Sequence, residues 1–165
     1  MTINLLILVS ALAILYGTAT KGQKYYENYQ KSRFMFLAMG IGLSVFSLLL
    51  QMILIDGYAR VVFDISYFTP NKVIRCLLIL AVVGGCGILF LKDQLLRNKQ
   101  LELLGSIAVA ACLILYIVLI MIAERGAPML SYTGIHSFLE IIKRLVFVTM
   151  ISDFIGLEIY ASLKK

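Results

Sequence analysis

The chain has 165 residues, 61% of them hydrophobic, and 15 Lys and Arg against nine Asp and Glu give a formal net charge of +6. A soluble domain is about 45–50% apolar. Here the excess lies in long unbroken runs, and about 20 apolar residues is the length a bilayer core asks of a helix. That excludes an ordinary soluble domain, and because the bases flank the apolar runs they point to anionic lipid headgroups rather than to nucleic acid.

The pattern predicts an all-α protein, a polytopic transmembrane helical bundle of about five spans. They form a single transmembrane domain over residues 1–165, with spans over 3–19, 34–55, 73–91, 101–122 and 143–162. Trp is absent and nine Tyr supply the interfacial belt. Cys76, Cys86 and Cys112 fall in or beside spans without metal-ligand or redox spacing, so they are read as small packing residues.

In the first span, no base precedes the apolar core and Lys21 follows it. This favours a retained anchor with its N-terminus outside over a cleaved signal peptide. Ser10, Ala13 and Gly17 share a face suited to close helix packing. Residues 21–33 hold Lys21, Lys24, Lys31 and Arg33 with Tyr25, Tyr26 and Tyr29. Bases beside a span mark the cytoplasmic side. Two readings of this segment stand: a docking patch for a soluble partner, or a turn at headgroup depth.

The second span carries Gly40, Ser44, Ser47 and Gln51 at i, i+4, i+7 and i+11. Such a polar stripe is costly toward lipid and is expected to face protein or a wet cavity. Residues 56–72 are expected outside, with Thr69 and Pro70 opening the next helix as N-cap and first helical residue. In the third span, Gly84, Gly85 and Gly87 surround Cys86; this is a close-packing cluster, not a phosphate loop. Residues 92–100, with three bases and one acid, read as a short inner loop joining spans three and four as a hairpin.

The fifth span is unusually charged. His136, Glu140, Lys143, Arg144 and Glu158 fall within about a third of the helix circumference, at about 100° per residue. All but Glu158 lie near its outer end, as an outer-surface polar cluster. Asp153 lies on another face, with Thr149, Gly156 and Tyr160. An ionisable group inside a span is a candidate for function by default. The expected intramembrane polar seam is therefore Asp153, Thr149 and Tyr160 from span five, facing Ser44, Ser47 and Gln51 from span two.

The bases count nine on the inner side against six on the outer with the N-terminus out and the C-terminus in, a moderate positive-inside bias. The function expected from this is a non-enzymatic membrane subunit, assembling as a homo-oligomer or anchoring a larger complex with a cytoplasmic partner. One alternative is a small transporter or ion channel with a path past Asp153, Ser44, Ser47 and Gln51. The other is a membrane-embedded enzyme working near Cys76 and His136. No cofactor or metal is expected. The partners are membrane lipid, further copies of the chain, and other membrane or cytoplasmic subunits. The expected location is a plasma membrane, in particular a bacterial inner membrane.

Overall fold

The long apolar runs contain no proline except at Pro70, which opens a helix, so nothing interrupts the backbone ladder within each run. A computed structural model describes residues 2–22, 28–54, 70–92, 98–124 and 134–164. Side chains are described within 4–22, 28–46, 73–92, 98–122 and 141–164. These residues form five helices and no strand: α1 (Thr2–Lys21), α2 (Tyr29–Leu54), α3 (Pro70–Phe90), α4 (Lys99–Glu124) and α5 (Gly134–Lys164). Four of them, α1, α3, α4 and α5, are long and apolar enough to cross a bilayer.

α5 is the centre of the bundle. Of its apolar window, Ile141–Lys164, 56% is buried, against 17% for the window of α3. α1 and α2 pack on α5, α4 packs on α5 and α1, and α3 packs chiefly on α4. α1 runs parallel to α5, since Asn4 lies against Arg144 at one end and Thr18 against Asp153 further along. α2 runs antiparallel to α5, because Arg33 meets Glu158 while Gly40 lies against Met150 and Ile151.

Close crossings fall where side chains are smallest. A Cβ on Gly156 would stand 2.7 Å from Thr18 Cβ, and one on Gly40 would stand 3.0 Å from Met150 Cβ. A Cβ on Gly85 would overlap Val109 of α4, which holds the α3/α4 hairpin tight. Without a water-driven hydrophobic effect between helices in lipid, such close backbone approach is what holds them.

The distribution of side chains is turned inside out relative to a soluble protein. Leu6, Tyr16, Leu80 and Leu104 are exposed, whereas Arg33, Lys92 and Glu158 are almost wholly buried. Lys, Arg and Glu are rarely buried in soluble domains; in a lipid solvent, inward is where charge belongs.

Two helices differ in extent from the sequence expectation. α2 begins at Tyr29 rather than at residue 34, because the charged segment before the apolar run is drawn into the bundle. α5 spans 31 residues from Gly134, nine before the predicted start. Its polar beginning continues the same helix.

Candidate functional site

Four charged side chains from α2, α4, α5 and the end of α3 converge at one end of the bundle. Glu158 stands on α5, six residues before its end, about 9 Å at 1.5 Å per residue. Arg33 lies in the second turn of α2, Lys92 two residues beyond α3, and Glu102 in the first turn of α4. The connectivity makes these neighbours: α2 and α4 start, and α3 and α5 finish, at this end.

Both oxygens of the Glu158 carboxylate are engaged. Oε1 lies 2.7 Å from Arg33 Nε and Oε2 lies 2.8 Å from Lys92 Nζ. Lys92 also approaches Glu102 at 3.4 Å and donates to the Tyr29 hydroxyl at 3.2 Å. Side-chain exposure is 1% for Arg33, 2% for Lys92, 0% for Glu158 and 16% for Glu102. Two cations and two anions make a neutral set, the condition under which charge can stay buried.

Arg33 has a second task. Its Nη2 donates to the carbonyls of Leu89 and Phe90 at 2.6 and 2.9 Å, the last of α3. The last carbonyls of a helix are short of intrahelical donors and sit at the negative end of the helix dipole. A guanidinium from α2 therefore caps α3. Nη1 donates to Gln30 Oε1 at 3.2 Å, and the guanidinium lies over the rings of Tyr29 and Phe90 at 5.3 and 5.0 Å. The planar fork suits this many partners; an ammonium would not.

A second polar contact lies between α1 and α5. Thr18 Oγ1 donates to Asp153 Oδ1 at 3.0 Å. Asp153 is half-buried, and among the described residues α1 and α2 flank α5 with few contacts to each other. Among the described residues the hydrogen-bond partner of Asp153 therefore comes from the first helix.

Gly40 does face α5, but against Met150 and Ile151. Ser44 donates to the Gly40 carbonyl and Thr149 to those of Leu145 and Val146, each within its own helix. Tyr160 is buried, with its ring where a Cβ on Gly22 would fall. The side chains of Ser47 and Gln51 lie outside the described residues.

Of the docking patch, Arg33 is placed inside the bundle. Arg33 is buried in ion pairs rather than exposed, because Glu158 and the α3 carbonyls offer it more than headgroup water does. Tyr29 is half-buried under the same cluster, whereas Lys21 and Lys31 are exposed. Lys24, Tyr25 and Tyr26 lie outside the described residues. Lys92, expected in an open inner loop, is likewise inside the bundle.

Of the outer polar cluster, Arg144 donates to Asn4 Oδ1 at 3.5 Å and Lys143 is half-buried; the side chains of His136 and Glu140 lie outside the described residues. Cys76 is exposed and Cys86 buried. Among the described residues no three His, Cys, Asp or Glu side chains gather as a metal site.

Sequence reasoning placed Glu158 on the charged stripe by face and near the inner end by depth, but did not pair it with Arg33 or Lys92 and so missed the cluster. Depth was the available signal: Glu158, Arg33 and Lys92 each lie within a few residues of the same membrane edge. Compared with protein-family models, curated proteins and solved structures, the chain matches none.

Proposed function

We propose that the chain is a small integral membrane subunit without catalytic activity, which assembles through its outward helix faces with copies of itself or with other membrane chains. The observation that carries this reading is a set of glycines that no contact among the described residues explains. A Cβ built on Gly17, Gly42, Gly84 or Gly87 meets nothing within 4 Å. Glycine inside a helix costs about 0.5–1 kcal/mol relative to alanine, and small residues on a lipid-facing surface let another backbone approach. Gly84 and Gly87 are best placed, sharing the outward face of α3 with exposed Leu80, Ile88 and Leu91.

In this reading α2 is the fifth span, the N-terminus is outside, and the C-terminus faces the cytoplasm of a bacterial inner membrane. The exposed Lys21 and Lys31 are left to meet lipid headgroups or a cytoplasmic partner. The test is the mass of the purified protein in nanodiscs. A multimer or mixed complex is expected, and Gly84→Leu with Gly87→Leu is expected to disperse it. A monomeric parent would end the reading.

A second reading, a small transporter or channel, is favoured by Asp153 alone: a half-buried carboxylate beside Thr18, between α1 and α5. Under it, Asp153→Asn abolishes ion flux in reconstituted vesicles, and unchanged flux would sink it.

A further inference from the structure

The buried charges join two groups of helices. α1, α2 and α5 form one group, and α3 with α4 forms a hairpin whose α4 side lies along α5 and α1. The α3 side is different, since α3 contacts α2 and α5 only sparsely. The contacts that tie α2 to the α3 side gather at one end. Arg33 reaches the Leu89 and Phe90 carbonyls, the Phe34 and Phe90 rings lie 6.1 Å apart, and Lys92 bridges to Tyr29.

We infer that the Arg33–Glu158–Lys92 cluster is a latch that closes the seam between α2 and α3, and that loss of the Glu158 charge lets the hairpin swing away with α4 as the hinge side. Among the described residues Glu158 is the one wholly buried anion, and it faces two buried cations. Without its charge, the carboxylate left beside Arg33 and Lys92 among the described residues is Glu102, which reaches Lys92 at 3.4 Å. Two cations left in an apolar interior are strongly unfavourable, and opening at this end returns both to headgroup water. The Arg33–carbonyl bonds, the Phe34–Phe90 contact and the Lys92–Tyr29 bond lie at the same end as the shared carboxylate, so the set closes or opens together. The tight Gly85–Val109 crossing keeps the hairpin itself intact during the motion. This device is independent of the assembly reading, because its residues are buried within one chain.

Cys86 supplies a native reporter. It is buried on α3, while Cys76 on the same helix is exposed and Cys112 on α4 is half-buried. The experiment follows alkylation of each cysteine in the full chain in nanodiscs, using a small membrane-permeant maleimide and peptide mass spectrometry. Glu158→Gln is expected to speed Cys86 labelling at least tenfold, with Cys76 unchanged. Labelling of Cys86 at the parent rate overturns the latch. A triple variant, Arg33→Leu with Lys92→Met and Glu158→Leu, removes all three charges and is expected to restore the parent rate. If it too labels fast, the effect is the changed local charge at the thiol and the inference fails. If Glu158→Gln does not fold, Lys92→Gln decides, since it cuts the Lys92 arm of the latch, to Glu158 and Tyr29, and keeps the Arg33–Glu158 pair. Faster labelling at Cys86 without a change at Cys112 supports the latch, and the parent rate overturns it.

Discussion

Glu158 shows how one residue's partners decide its meaning. On a helical wheel it belongs to a charged stripe; in the folded chain it answers Arg33 and Lys92, which come from different elements. Breaking a buried ion pair from one side costs about 3–5 kcal/mol, so Glu158→Gln is expected to lower stability by that order in detergent unfolding. The triple apolar replacement is expected to recover most of it, since buried ion pairs contribute little over well-packed apolar groups. Thr18 is a milder case. Interhelical hydrogen bonds in membranes contribute about 0.6 kcal/mol on average and up to about 1.7. Thr18→Val is expected to fall in that range by the same measurement, and a larger loss would mean that Asp153 has no other support. Asp153 was legible in the sequence because an acid in an apolar run stands out. Arg33 was not, because a base at the edge of a run looks the same whether it faces headgroups or a buried carboxylate.

At the scale of the helix, the glycines separate into two kinds. Gly156 has Thr18 Cβ at 2.7 Å and the Leu15 carbonyl at 3.3 Å from where its Cβ would be. Neither belongs to a flexible side-chain tip, so Gly156→Ala forces α1 and α5 apart at a cost of about 1–3 kcal/mol. Gly17, with nothing within 4 Å, is expected to behave oppositely. Gly17→Ala raises helix stability by about 0.5–1 kcal/mol. Parallel thermal unfolding of the two variants checks the contrast, and equal effects would refute it. In sequence the two positions are both glycines at helix-packing spacing. Only the partner across the crossing distinguishes them. The existence and order of the helices, and the α3/α4 hairpin, followed from apolar runs and short polar connections. The start of α2 at Tyr29 did not, because its first two turns are held by the Lys92–Tyr29 hydrogen bond and the Arg33–Glu158 ion pair rather than by apolarity.

At the scale of the molecule, the outward glycines of α3 are expected to carry assembly. If so, Gly84→Leu with Gly87→Leu shifts the nanodisc mass toward the monomer while leaving unfolding within about 1 kcal/mol of the parent, since neither position packs inside the chain. Loss of stability with no change in mass would reassign that face to the fold.

The sequence by itself determined that the chain is helical and built of long apolar runs; it predicted about five spans, and among the described residues five helices form, four of them long and apolar enough to cross a bilayer. These follow from run length and apolarity, which act locally along the chain. It also singled out Asp153, because a charge in an apolar run is costly wherever it faces. Tertiary structure alone decided that α5 is the hub, that Asp153 turns to Thr18, and that Arg33, Lys92 and Glu158 share one buried site. Those depend on which helix faces which at a common depth. Periodicity gives a residue its face and its height, but only packing supplies the neighbour that a buried charge must find.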